Sequence, residues 1–327
     1  MNRIRWLILI LGPLPIIGSS WALSAWLKSE PRAVVMRNSV LPGRAGEPAR
    51  AAASSVRRAG GAAEALAAEC TQGARKLRAA LGSECRIVVR SPFVLGGDLA
   101  PGELEALHDG TIAPAVRAMR NSYFDAQPSQ PVTVLVFRGE ESYNRYCERL
   151  FAEAGISIYG YYKPQLRTLV LNIATGNGTL LHELTHALLA FDFPDVPDWL
   201  NEGLASLHEQ SRFRSDKDGP WIEGLVNWRL AGLKDVVRRG QLRSLAELVK
   251  DTRFRGPGEG TNYAQARYFC LYMQQKGVLA KFYRSFRGHW AEDPRGLEAL
   301  TGVFPGVAVE HLDRDFERWV LSLGDTR

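Results

Sequence analysis

Polar and apolar positions divide the chain into three stretches. Trp6 to Ile17 is uncharged and mostly apolar, interrupted by Gly12, Pro13 and Pro15, and the uncharged stretch runs on to Leu27. From Lys28 to about Gly61 large apolar residues are scarce and Ala, Arg, Gly and Ser dominate, the pattern of a flexible spacer. Ala62–Leu81 has the Ala, Leu, Glu and Lys content of a helix. Periodicity takes over from Cys85. Cys85–Arg90 and Val132–Phe137 alternate or run apolar as strands do. Between them Pro101–Phe124 predicts a helix kinked at Pro114, and Glu140–Ala154 predicts another. Tyr159–Tyr162 and Thr168–Ile173 predict a hairpin around Lys163-Pro164-Gln165.

Two capped helices follow. Thr179–Ala190 can be capped by Thr179 or Asn177 and buries a stripe of Leu181, Leu184 and Leu188; Pro197–Ser206 has Asp198 as its N-cap. Trp221–Arg239, Ser244–Asp251, Asn262–Gln275, Leu279–Arg287, Pro294–Thr301 and Val307–Leu323 then carry amphipathic helical patterns. Arg253–Thr261, rich in glycine, is the clearest flexible loop after the two helices. The fold class is α+β, a small mixed sheet with helices followed by a mostly α-helical C-terminal lobe. The expected organisation is a leader at 1–27, an Ala/Arg-rich linker at 28–84 and one folded domain at 85–327. That domain divides into a sheet-bearing lobe at 85–190 and a helical lobe at 191–327.

Charge changes meaning once it is located. The chain is formally +6, but residues 28–90 hold twelve Lys/Arg against five Asp/Glu, whereas 91–327 hold twenty-seven against thirty. The basicity belongs to the spacer, so no nucleic-acid partner is indicated. Arg3 and Arg5 ahead of the apolar start mark an export signal. Small residues at Ala22–Ala25 offer a cleavage site, while the uncharged stretch is about as long as the ~20 residues that span a bilayer. Signal peptide and N-terminal membrane anchor both fit, and either places the remainder outside the cytoplasm. In that setting Cys70 and Cys85 are the favoured disulfide pair; Cys147 and Cys270 fall on helices, where buried free thiols fit equally.

The chemistry concentrates in His182-Glu183-Leu184-Thr185-His186, an H-E-x-x-H pattern. Residues four apart lie one helical turn above each other, so His182 and His186 can hold one Zn²⁺, with Glu183 beside the open position as base. Sixteen residues after His186, Glu202 sits early on the second helix and completes a His₂Glu set. His208 points away from that ligand face, and His108, His289 and His311 have no motif around them. Asp192 and Asp195 read as turn formers.

These motifs resemble those of the gluzincins, in which H-E-x-x-H is followed on a second helix by a ligand Glu. Trp199-Leu-Asn-Glu-Gly-Leu-Ala205 is similar to the third-ligand motif of the zinc aminopeptidases. The wider pattern resembles the peptidase-MA-like bacterial families. They share Gly160-Tyr161-Tyr162, the apolar strand Leu169–Ile173 and the Leu-Leu-His-Glu-Leu-Thr-His-Ala-Leu-Leu helix, a likeness covering about residues 86–320. The resemblance implies a zincin-like fold with zinc on His182, His186 and Glu202. It implies that Leu169–Ile173 is the sheet edge, offering Leu169, Leu171 and Ile173 to an extended peptide. It implies that Tyr263 donates to a developing oxyanion, with Tyr268 or simple packing as competing accounts. It also implies an orienting partner at Ser206, where a carboxylate would be stronger. The reading is an exported zinc-dependent peptidase acting on peptides or proteins and tethered to a membrane if the N-terminal segment is retained. Internal cleavage is favoured, because Gly176-Asn177-Gly178 stands where aminopeptidases carry G-x-M-E-N. The alternative is a non-catalytic zinc-containing envelope protein that binds peptides.

Overall fold

The computed structural model describes residues 48–153, 157–250 and 254–324. The apolar start, the spacer as far as residue 47, and the expected element ends at Ala154, Asp251 and Arg253 lie outside them. Among the described residues no helix is long and apolar enough to cross a membrane.

The first element, α1 (Pro48–Leu81), takes in the helix expected over 62–81 and extends it fourteen residues into the stretch expected as spacer. Its C-terminal half belongs to the folded body: Cys70, Leu77 and Leu81 are buried against the sheet. That sheet has five strands in the order β1 (Arg86–Arg90), β2 (Phe93–Gly97), β3 (Val132–Phe137), β5 (Thr168–Asn172), β4 (Gly160–Lys163). β2–β3 and β3–β5 are parallel, and the two outer pairs are antiparallel. β2 has no counterpart in the sequence reading. Its run Phe-Val-Leu-Gly-Gly is too short and too glycine-rich to stand out, and pairing on both sides makes it a strand.

Alternation along β3 shows how the sheet is covered. Val132, Val134 and Val136 join the main core, while Leu135 and Phe137 face the opposite way. On that second face lie α1 and α4 (Glu140–Phe151), through Tyr143, Tyr146, Cys147 and Leu150. The main face carries a helical segment made of α2 (Glu103–Leu107), a π turn at His108–Ile112 and α3 (Ala113–Ser122). The π turn replaces the expected kink. Pro114 has no N–H to give to the preceding turn, and Ala113 N reaches back to His108 O instead. Beside it lies α5 (Asn177–Asp192), whose Leu181, Leu184 and Leu188 are buried as expected.

The expected edge strand is not at the edge. β5 sits between β3 and β4, and Leu169 and Leu171 are almost fully buried in the main core. Ile173 lies past the strand end, in a short 3₁₀ turn. β4 is the edge strand, because the hairpin returns on the outside of the sheet.

After α6 (Asp198–Glu209) the chain is not wholly helical. Ser211–Asp216 (β6) and Gly219–Gly224 (β7) pair as a hairpin, so the helix expected from Trp221 begins only at α7 (Arg229–Arg238). The remaining helices follow the expected order: α8 (Leu245–Lys250), α9 (Glu259–Gln275), α10 (Leu279–Gly288), α11 (Leu297–Val303) and α12 (Val309–Ser322). The expected loop before α9 is pinned, with Phe254 fully buried and its carbonyl accepting from Asn262 Nδ2 at 2.7 Å. One continuous core runs from the sheet into these helices, so the two expected lobes share their interior. α6 crosses α9 closely at Gly203. A Cβ there would lie 2.9 Å from Cys270 Sγ and 3.0 Å from Ala266 O.

All four cysteines are free and buried, so the expected Cys70–Cys85 bridge is absent. Burial pushes each thiol above its ordinary pKa.

Candidate metal centre

α5 presents His182 and His186 one turn apart, and α6 brings Glu202 against them. The three ligand atoms form a nearly regular triangle. His182 Nε2 and His186 Nε2 are 3.0 Å apart, and Glu202 Oε2 lies 3.4 Å from the first and 3.5 Å from the second. Tetrahedral ligands 2.0–2.1 Å from a zinc ion lie about 3.3–3.4 Å from each other, so the triangle has the size such an ion requires. Glu202 Oε2 is also buried without a hydrogen-bond donor, an acceptor that a cation would satisfy. This His182–His186–Glu202 group is the set of His, Cys, Asp and Glu side chains among the described residues that can hold a metal ion.

Neither expected cap exists. Gly176 precedes α5 and Pro197 precedes α6, and neither makes a side-chain capping bond; Asp198 is the first residue of α6. The helices are positioned by packing instead. α5 starts against the end of α6, where a Cβ on Gly178 would stand 2.6 Å from Glu209 O. That approach brings Glu209 to His182. Its Oε1 lies 3.0 Å from Nδ1, on the far side of the ring from Nε2, close enough for an ion pair though not aligned as a hydrogen bond. His186 Nδ1 meets Asn201 Oδ1 at 2.7 Å, which fixes the proton on Nδ1 and leaves Nε2 free to ligate. Ser206, where the resemblance placed an orienting partner, is buried with its hydroxyl unpartnered and does not take that part.

Electrostatics follows from these contacts. Burial works to lower the pKa of His182, but contacts with Glu202 and Glu209 outweigh it and push the imidazole up to about 10. Glu202 is driven the other way. Burial would raise it, and the two imidazoles hold it far below the carboxylate range. Glu209 is lowered in the same manner by His182 and by Arg229, whose Nη2 lies 2.9 and 3.1 Å from its oxygens. Arg255 pairs with the other oxygen of Glu202.

The three ligands line a cleft of about 580 Å³ together with Glu183, Arg255 and Tyr263. Glu183 is largely buried next to His182, as its place in the motif requires. Tyr263 does reach this cleft, with burial and the nearby Glu202 raising its phenol. Tyr268, its rival, is buried elsewhere, donating to Asn227 O at 3.0 Å. The edge strand supplies Gly160, Tyr161 and Tyr162 to the cleft wall, and the Tyr162 hydroxyl is buried without a partner.

The remaining singled-out residues serve the fold. His208 is fully buried against Thr185 and Tyr123. His108 contacts Asp109, while His289 and His311 are exposed. Asp192 is more than a turn former. It accepts from Asp125 N, Ala126 N, Tyr283 Oη and Arg287 Nη1 at 2.6–2.8 Å, tying the end of α5 to α10. Glu209 and Asn201 are the functional positions that the motif did not disclose. Both were readable in principle: Asn201 adjoins the ligand Glu202, and Glu209 stands seven residues, two turns, beyond it. No protein-family model matches the chain, and a search of curated proteins found no similar one.

Proposed function

We propose that the protein is a zinc-dependent peptidase with a zincin-like fold, acting outside the cytoplasm and cutting within peptide chains. The observation that carries this reading is the 3.0–3.5 Å His182–His186–Glu202 triangle with Glu183 beside it, facing a cleft walled by the outermost strand of the sheet. A zinc ion on these residues would supply a water of lowered pKa and a polarised scissile carbonyl. Glu183 takes the proton from the attacking water and passes it to the leaving amine. Tyr263 offers its phenol to the developing oxyanion, a role that needs a donor held in place beforehand. β4, the outermost strand, lies alongside an extended substrate, with the backbone of Tyr162 as the place for strand-like pairing. Asn201 and Glu209 keep both imidazoles turned with Nε2 inward. The exported location is supported by Arg3 and Arg5 ahead of the apolar start.

The test uses the full-length chain, because α1 packs on the sheet and is part of the body. The protein, loaded with zinc, is incubated with a mixed peptide library read by mass spectrometry, beside Glu183→Gln. The reading expects internal cleavage by the parent and a loss of at least about 10²-fold in the variant with zinc still bound. Peptide binding with no cleavage by either protein would refute the enzyme and leave a peptide-binding groove.

A further inference from the structure

Arg229 begins α7, outside both metal-site helices, yet its side chain is only 15% exposed. Three contacts account for that burial. Its Nη2 bonds both oxygens of Glu209, at 2.9 and 3.1 Å. Its guanidinium carbon lies 4.1 Å from the centre of the Trp228 ring and 5.8 Å from that of Tyr263. Glu209 in turn meets His182 Nδ1 at 3.0 Å. The same cation is therefore one residue away from a ligand imidazole and lies over the ring of the tyrosine that lines the cleft. Trp228 is 70% exposed, an unusual place for so large an apolar ring, and it backs the guanidinium.

We infer that Arg229 is a positioning residue of the metal centre, whose guanidinium holds Glu209 against His182 Nδ1 while facing the ring of Tyr263. The argument is one of geometry and charge. A carboxylate orients a ligand histidine only if it is ionised and fixed, and Glu209 is four-fifths buried on a flexible stem. A buried carboxylate without a cation beside it pays a large desolvation penalty. Arg229 offsets that penalty, its Nη2 reaching both carboxylate oxygens and so limiting where Glu209 can turn. The second arm places the phenol and the ligand on one support, so a shift of α7 moves both. The inference rests on the metal-centre reading and does not require peptide cleavage.

The test measures zinc affinity of the full-length protein by competition with a chromophoric chelator, and the visible spectrum of the cobalt-loaded form. The proteins are the parent, Arg229→Met, Arg229→Lys, Glu209→Gln and the Arg229→Met/Glu209→Gln double variant. Arg229→Met should bind zinc 10- to 100-fold more weakly and alter the cobalt bands, the range seen when a partner of a ligand histidine is removed. Arg229→Lys, which keeps the charge, should recover most of that loss. The double variant should be no weaker than the weaker single one, because both substitutions break the same chain of contacts. Zinc affinity unchanged in Arg229→Met would overturn the inference, as would losses that simply add in the double variant. If Arg229→Met fails to fold, Arg229→Gln takes its place: zinc affinity weakened as in Glu209→Gln supports the inference, and parent-like affinity in Arg229→Gln overturns it. A parent that binds zinc but cleaves no peptide would instead count against the proposed activity alone.

Discussion

Acidifying the metal-free protein from pH 6.5 to pH 5 should destabilise it mainly through His208. Thr185 has a single hydroxyl proton, and it goes to Leu181 O at 2.7 Å. The Thr185 oxygen must therefore accept from His208 Nδ1, 2.9 Å away, which leaves Nε2 as the unprotonated nitrogen. Nε2 is buried without any partner, so a second proton would create an orphaned charge inside the core. Burial depresses this histidine to about 3, with His182 and Arg267 adding repulsion. The unfolded chain takes up the proton near pH 6.5, and the folded chain does not until far lower. Stability is thus fully present above 6.5 and declines as pH falls toward 3, by about 1.4 kcal/mol per unit, or about 2 kcal/mol by pH 5. Asp313 and Glu317, raised by burial, act in the opposite sense and are common to both proteins compared below. His182 is protonated in both states below 6.5, and the lowered carboxylates contribute only as pH nears their unfolded values, about 4. Urea unfolding of chelator-treated protein at pH 6.5, 5.75 and 5.0, beside His208→Gln, isolates the slope. Equal slopes in the two proteins would refute the reasoning, whatever their absolute stabilities.

Other outcomes follow from the same contacts. Asp192→Ala should cost about 2–4 kcal/mol in urea unfolding, since it leaves Tyr283 and two backbone N–H groups without their acceptor and Arg287 with only Asp125; a loss under about 1 kcal/mol would contradict the role given to this carboxylate. Zinc binding at pH 7–8 should release close to one proton from His182, because the ligand must be neutral while the free imidazole is held up to about 10. Affinity should then rise about tenfold per pH unit through this range, and calorimetry in buffers of different ionisation heat would expose the absence of release. Gly203→Ala should cost about 1–3 kcal/mol by crowding Cys270 and Ala266, and a neutral thermal shift would show that α6 and α9 can part freely.

What the sequence disclosed depended on the range of the interaction involved. His182, Glu183 and His186 are fixed by helical spacing, and Glu202 by the order of two helices, so local pattern was enough. Which strand lies outermost is set by pairing between segments far apart. The pattern of Leu169–Asn172 says buried strand, and nothing in it says that β4 folds back on its outer side. The β6–β7 hairpin has a local signal: the polar pair Lys217-Asp218, followed by Gly219, forms the turn between Arg-Phe-Arg and Trp-Ile-Glu. Compartment and nearness in sequence favour a bridge between Cys70 and Cys85, whereas both thiols are taken up by the packing of α1 and α4 on the sheet. Arg229 and Asp192 act through partners twenty to ninety-five residues away, and no spacing rule reaches them.

The contact between Gly178 and the backbone of Glu209 has a consequence for descent. One residue lies four before the first ligand histidine and the other seven after the ligand glutamate, so they occupy separate motifs. Any relative that uses a carboxylate at the second position must keep the first position bare, because a methyl group there would meet the carbonyl at 2.6 Å. The two should be inherited as a pair. A lineage that lost the glycine would have to find its histidine partner elsewhere.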